Sequence, residues 1–360
     1  PRPPRARHPT RQPAAKARAT PRVRRRPAPR ARRASDASSI SASSPTGAAP
    51  YDARMDARDY ATHARHARAP LMRAARRLPA RARVATASAS ASPSSSPRAR
   101  RAMDVLQFPA LGDNYGFAVR CRKTKTVALV DAPDEGAIAR ALSSAGWESP
   151  SMILNTHHHR DHVGANGGVR ARFPDARVVV VAPRREAEKI GDVDVAVEEG
   201  DVVEIGDVRA TVRETPGHTL GHVVYHFEEE KKVFVGDTMF ALGCGRLFEG
   251  TPAMMWASMQ KLLAMSDDTQ VYCAHEYTQS NAKFALSVDP TNEALRARAR
   301  EIDALRAKGE PTVPTTIGLE RLTNPFCRPD SAGVQNGVNM LGSSDLAAVF
   351  GAVRSAKDNF

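Results

Sequence analysis

The stretch Asn155-Thr156-His157-His158-His159-Arg160-Asp161-His162 decides how this chain is read. It follows Met152-Ile153-Leu154, a short apolar run that reads as a buried strand, so the imidazoles and the carboxylate emerge together where that strand ends. Four histidines and an aspartate within six residues make a poor core segment, because buried imidazoles need partners that a cluster of their own kind does not supply. Divalent cations remove the difficulty. Neutral imidazoles and a carboxylate can surround two of them, with His157 and His159 directed to one and Asp161 and His162 to the other. A solvated polar loop is the weaker alternative.

Charge divides the chain into two unlike pieces. The 360 residues carry 53 Lys and Arg against 39 Asp and Glu, a formal +14. Positions 1–101 alone hold 25 basic residues, 24 of them Arg, and 4 Asp, which leaves 28 basic against 35 acidic in the remainder. The front piece, residues 1–102, is Arg, Pro, Ala and Ser with few large apolar side chains, so it is expected to be a disordered basic extension. Rich in Arg and Ser and poor in acids, it has the composition of an organelle transit peptide. That implies a mitochondrion, with a chloroplast as the alternative, or the cytosol if translation starts at Met103. A nucleic-acid-binding arm is the competing reading, but no aromatic is interleaved with these arginines to stack on bases. No apolar run of about twenty residues occurs, so no membrane span is expected. Cys121, Cys244, Cys273 and Cys327 are widely spaced and suggest neither a zinc ribbon nor a disulfide scaffold.

From Met103 onward the pattern is strands, then a helix, twice over. Val105–Phe108, Gly116–Cys121 and Thr126–Val130 read as strands before a helix over Glu135–Ala145 that Gly146 stops. Ser151–Leu154 and Arg177–Val181 read as strands around a helix over Gly164–Phe173, and Pro183–Ile190 as another helix. Val202–Ile205, Val208–Glu214, His222–Phe227 and Lys232–Val235 follow as strands. Two such halves imply sheet packed on sheet with helices outside, over residues 103–252. Met254–Met265, Ser280–Val288, Asn292–Lys308 and Ser344–Ala356 carry helical spacing, which predicts a smaller helical domain over 253–360.

Three later stretches complete the chemistry. Thr215-Pro216-Gly217-His218-Thr219 presents a histidine in a turn directly after a strand. Val233-Phe234-Val235-Gly236-Asp237 ends an apolar strand in a carboxylate, and Tyr272-Cys273-Ala274-His275 ends one in a histidine. Each alone is as often structural as catalytic. Together with the opening cluster they supply five His and two Asp, enough for two metals if one carboxylate bridges. His158 is read as a hydrogen-bonding loop residue, His222 and His226 as packing or supporting groups, and Cys244 as structural.

At this point the chain resembles a known family. Thr156-His157-x-His159-x-Asp161-His162, the Pro-Gly-His-Thr turn, the Gly-Asp strand end and the later His are similar to the metallo-β-lactamase superfamily. Phe108-Pro109-Ala110-Leu111, Asp113-Asn114-Tyr115, Cys244-Gly245-Arg246-Leu247-Phe248-Glu249-Gly250, Ala274-His275-Glu276-Tyr277-Thr278, Glu310-Pro311-Thr312-Val313-Pro314 and Asn324-Pro325-Phe326 resemble, more narrowly, glyoxalase II. The resemblance covers nearly all of 103–360 and none of 1–102. It implies an α/β fold, a metallo-β-lactamase-like αββα sandwich followed by a smaller all-α C-terminal domain that contributes to metal and glutathione binding. It also implies a first metal held by His157, His159 and His218, a second by Asp161, His162 and His275, and Asp237 as the bridge. Glutathione contacts fall on Arg246, Tyr277, Arg354 and Lys357. Arg246 stands where the family commonly has lysine, and Phe248 where it has a tyrosine.

The resemblance to glyoxalase II implies hydrolysis of a glutathione thioester, and a binuclear centre would supply the metal-bridging hydroxide for it, with Asp161 and Asp237 fixing the cations. The thiol leaves without a proton donor, since its pKa is about 8.5. The cofactors are two divalent ions, zinc first and iron or manganese as alternatives, and the partners are the substrate alone, with no nucleic acid, no membrane and a monomeric state. Two other activities share the fold, a persulfide dioxygenase and a metal-dependent nuclease. The first binds one iron, which the full second donor set argues against. The second calls for clustered Lys and Arg around the site, whereas the body is net acidic.

Overall fold

Strands buried on both faces form the inner part of one sheet. In the computed structural model, which describes residues 82–85 and 102–360, Val127–Val130, Met152–Leu154 and Val179–Pro183 lie parallel and side by side. Their side chains alternate between two cores. Ala128, Val130, Met152, Leu154, Val179 and Val181 face a second sheet, while Val127, Leu129, Ile153 and Val180 face Ile138, Leu142 and Val169 of two covering helices. That is why these segments read as continuous apolar runs rather than alternating ones. Each fully buried Val, Leu or Ile contributes about 1.5–3 kcal/mol.

The first sheet has six strands in the order Met103–Ala110, Asn114–Cys121, Val127–Val130, Met152–Leu154, Val179–Pro183 and Val195–Val197. The second has seven: Ala82–Ala85, Val202–Ile205, Val208–Glu214, Val223–Phe227, Lys232–Gly236, Gln270–Cys273 and Thr315–Thr316. Helix Glu135–Ser144 begins at Asp134, whose carboxylate accepts from the Ala137 amide, and helix Pro252–Leu263 begins at Thr251 in the same manner. Met255, Met259 and Leu262 of that helix, with Val349, Phe350 and Val353 of helix Leu346–Asp358, belong to the core between the sheets' neighbours and the C-terminal helices. The αββα sandwich and the helical C-terminal region are therefore both present.

Four expectations need correction. Ala82–Ala85, inside the stretch read as disordered, pairs antiparallel with Val202–Ile205, because that strand otherwise ends the sheet with unpaired backbone groups. The rest of 1–101, with the transit-peptide reading, lies outside the described residues. The boundary at 252 is too early, since Gln270–Cys273 is a parallel partner of Lys232–Gly236 within the sandwich. A helix over Gly164–Phe173 starts instead within the histidine stretch, as Arg160–Val163 and then Asn166–Arg172. Pro183 ends a strand rather than starting a helix, so only Ala187–Ile190 is helical there.

Candidate metal centre

Every proposed donor lies at one rim of the sandwich, where strands of both sheets end. His157 follows Met152–Leu154, Asp237 follows Lys232–Gly236, and His275 follows Gln270–Cys273. His218 sits in the turn between Val208–Glu214 and Val223–Phe227. The sheets are joined at this rim by the Tyr115 amide, which donates to the Ala274 carbonyl at 2.7 Å. The turn into Asp237 needs Gly236, at φ +48, where a Cβ would come within 2.6 Å of Thr156 Oγ1.

Two groups of donors result, joined by one carboxylate. His159 Nδ1 is 3.0 Å from His157 Nε2 and 2.9 Å from His218 Nε2, so three ring nitrogens converge. Tetrahedral nitrogen ligands about 2.0–2.1 Å from zinc are spaced by little more than this. Asp161 Oδ2 lies 3.4 Å from both His162 Nε2 and His275 Nε2, which makes the second group. Asp237 turns one oxygen to each: Oδ2 is 3.4 Å from His218 Nε2, and Oδ1 is 3.4 Å from His162 Nε2 and 3.5 Å from His275 Nε2.

Two buried atoms here have no hydrogen-bond partner, Asp237 Oδ1 and His162 Nε2. Each such orphan costs about 1–3 kcal/mol. Both face the same gap, and a cation in it satisfies both. The donor set therefore fits a binuclear metal site.

The far side of each ring is held. His162 Nδ1 donates to Asp131 Oδ2 at 2.7 Å, His275 Nδ1 to Asp113 Oδ1 at 2.8 Å, and His218 Nδ1 to the Arg246 carbonyl at 2.8 Å. Those bonds leave each Nε2 pointing into the centre. Asp131 also accepts from the Thr156 amide and hydroxyl, at 2.8 and 2.9 Å, from a backbone at φ +58. The Asn114 amide donates to Asp161 at 3.0 Å.

Electrostatics follow from these contacts. Burial pushes His157 well below the ordinary histidine value, and lowers His159 and His218 too. Burial also works against the charged form of His275, but the carboxylates of Asp161 and Asp237 facing its Nε2 at 3.4 and 3.5 Å outweigh it and push this ring up to about 10. His162 is raised likewise, by Asp237 and Asp131 against its burial. Burial opposes the charge on Asp161 and Asp237, yet the neighbouring His162 and His275 hold both carboxyls far below the usual range.

The residues set aside behave as read. His158 donates through Nδ1 to Glu186 at 2.9 Å, outside both donor groups. His222 stacks on His157 and accepts the Asp237 amide at 3.1 Å. The Cys244 thiol is pushed up to about 11 by burial, which keeps it inert. Asp131, Asp113 and Glu186 were missed. Asp131 ends an apolar strand just as Asp237 does, a usable signal; Glu186 sits in the charged run Arg184-Arg185-Glu186 and gives none.

Of the residues expected to meet glutathione, Phe248 lies against the three-imidazole group, Arg246 and Arg354 share its cavity, and Tyr277 and Lys357 lie elsewhere. Arg246, Leu247, Phe248, Gly351, Arg354, Ser355 and Asp358 line a cavity of about 410 Å³. Phe248 is exposed and sets its ring edge against His159 and His218, with centroids 5.5 and 5.3 Å apart. Arg354 is turned inward: it donates to the Cys244 carbonyl at 2.8 Å and to Asp358 at 2.9 Å, and its Nε is buried without a partner. Asp358 also lies 3.5 Å from Arg246. Lys357 rests near the Ser280 hydroxyl at 3.3 Å and is lowered by burial and by Arg354 and Arg246. Tyr277 stacks on His275, ring centroids 4.7 Å apart and planes 4° from parallel, on the opposite side of the centre.

Comparison with known proteins agrees with this geometry. The family model for the metallo-beta-lactamase superfamily matches residues 111–275, which defines the class as a metallo-β-lactamase-type enzyme, and the model for the hydroxyacylglutathione hydrolase C-terminus matches 276–360. Hydroxyacylglutathione hydrolases of Maricaulis maris and Chelativorans sp. are 49% and 48% identical, over 71% and 72% of this chain and 98% and 99% of their own length. That of Mesorhizobium japonicum is 48% identical over 72% of this chain and its full length. The chain belongs to the hydroxyacylglutathione hydrolase family, the glyoxalase II enzymes, and is a thioester hydrolase. No described helix is long and apolar enough to cross a membrane.

Proposed function

We propose that this chain hydrolyses S-(2-hydroxyacyl)glutathione, foremost S-D-lactoylglutathione, to glutathione and D-lactate, the second step of methylglyoxal detoxification. One observation carries the reading: Asp237 directs its two oxygens to two different donor groups, and Phe248, packed against His159 and His218 of one group, lines the adjoining cavity with Arg246 and Arg354. In this assignment His157, His159 and His218 would hold one ion and Asp161, His162 and His275 the other, with Asp237 shared between them. Zinc suits the imidazole-rich set best, with iron or manganese as alternatives. When bound, the two ions supply hydroxide at neutral pH and positive charge for the developing oxyanion.

The chain's own residues do the rest. Asp131, Asp113 and the Arg246 carbonyl fix the three Nε2 donors, so the centre needs little reorganisation during reaction. Arg246, which lines the cavity, and Lys357, outside its lining beside Ser280, offer charge to the carboxylates of glutathione, while Arg354 lines the cavity and holds the Cys244 carbonyl. Phe248, against His159, and Tyr277, stacked on His275, offer aromatic surface on either side of the centre for the acyl end to rest on. No side chain has to protonate the departing thiolate. The composition of residues 1–101 supports an organellar address, the mitochondrion first, and we take the working form to be a monomer.

The test sets a glutathione thioester, a persulfide and an RNA side by side on protein of measured metal content. Turnover of the thioester alone, with two ions per chain, is the expected result; oxidation of the persulfide with one iron overturns the reading. Lys357→Ala is expected to raise KM severalfold with kcat nearly unchanged, because binding remote from the carbonyl is shared by ground and transition states. Arg354→Ala is expected to do the same and also to lower the melting temperature, since it strips the buried Cys244 carbonyl of its donor.

A further inference from the structure

Glu186 lies just outside the metal centre, a carboxylate only 1% exposed that no step above uses. A buried charge of this kind is costly unless several donors meet it. Here four do, and they are divided by oxygen. Oε2 accepts the His158 amide at 2.6 Å and His158 Nδ1 at 2.9 Å, both from the histidine stretch. Oε1 accepts the Thr219 hydroxyl and the Gly221 amide, the latter at 3.0 Å, both from the turn that carries His218. The backbone of that turn comes so near that a Cβ on Gly221 would lie 2.4 Å from Glu186 Cγ.

The two segments so joined supply the three-imidazole group between them, His157 and His159 from one and His218 from the other. Glu186 joins them with four hydrogen bonds. A direct bond from the Val223 amide to the Thr156 carbonyl at 2.9 Å closes the sheet beside it, and Glu249, which accepts the Leu220 amide at 2.9 Å and lies 3.6 Å from His158 Nε2, reaches both from the exposed side. The second group is braced elsewhere: Asn114 holds Asp161, Asp131 holds His162, and Asp113 holds His275. We propose that Glu186 is a positioning residue for the His157–His159–His218 ion alone, fixing the separation of its two ligand loops through one carboxylate oxygen each. The proposal rests on the ligand assignment given under the proposed function.

Glu186→Gln keeps the shape but replaces one acceptor oxygen with a donor that faces donors. Its retention of one of the two ions, followed by dialysis against a graded chelator series, is expected to weaken about 10–100-fold while the other ion stays as tightly held as in the parent. With cobalt(II) as the probe, the visible absorption of the weakened site is expected to change while that of the other site does not. Thr219→Val, which removes one of four donors and leaves the carboxylate, is expected to weaken the same ion severalfold, and it keeps the idea testable should Glu186→Gln not fold. Two ions retained as in the parent in folded Glu186→Gln, or in Thr219→Val, would overturn the proposal, as would equal weakening of both. A parent protein that binds fewer than two ions sinks the ligand assignment instead.

Discussion

His157, His159 and His218 on one side of Asp237, and His162 and His275 on the other, are the same residue type in the same buried rim, yet they hold protons in opposite ways. Burial lowers the first three. It works on the last two as well, but there Asp161, Asp131 and Asp237 outweigh it and raise both, His275 to about 10. The placement of carboxylates, not the depth of burial, sets the outcome. One group can take a cation as it stands; the other must first release protons.

Asp237 is shared, so the largest effect is expected there. Asp237→Asn should leave fewer than two ions per chain and cut thioester turnover at least about 100-fold, because an amide supplies neither the charge nor two anionic oxygens. Two tightly held ions with parental turnover would dissolve the comparison by showing that nothing joins the groups. Asp113→Asn should break the symmetry instead. It weakens the hold on His275 and is expected to cost the second ion about 10–100-fold in affinity while the three-imidazole ion is unchanged.

Protons give the next test. Calorimetric titration of metal-free protein at pH 7, repeated in buffers of different ionisation enthalpy, should show one ion binding without proton release and the other with it. Affinity for the second should rise about tenfold per pH unit for each proton displaced, up to about pH 10. Equal release by both would contradict the opposed proton occupancy. The smallest effect is on stability. The folded value of His275 lies above the ordinary histidine value near 6.5, so its contribution to the metal-free protein is complete below that pH and is lost as pH rises through about 10. Thermal unfolding of chelator-treated protein should decline across that window, and metal-loaded protein should not follow it.

The site was more legible than its supports. Ligand candidates concentrate rare residue types at strand ends, so His157, His218, Asp237 and His275 stand out in the sequence itself. Buried strands were equally plain, since Val127–Val130 and Val179–Pro183 are apolar on both faces. Asp113 and Glu186 act through partners 162 and 28 to 35 residues away, a separation no local pattern encodes. The strand that leads into His275 was legible as a strand, but its place was not: four residues among helices do not reveal that they return to pair with Lys232–Gly236. Arg354 was expected to meet glutathione, and only the packing of the last helix turns its guanidinium inward onto the Cys244 carbonyl.

The order of the donors along the chain has a consequence during synthesis. His157, His159 and His218 have all left the ribosome before His275, which follows His218 by about 60 residues. At roughly 5–20 residues per second that interval is several seconds. Gln270–Cys273 must also insert beside Lys232–Gly236 before His275 can reach Asp113. A nascent chain therefore carries a complete imidazole trio while the other group, with Asp161 and His162 already made, still lacks His275, so the first cation has the opportunity to arrive on an unfinished protein and the second finds its full donor set only on a finished one.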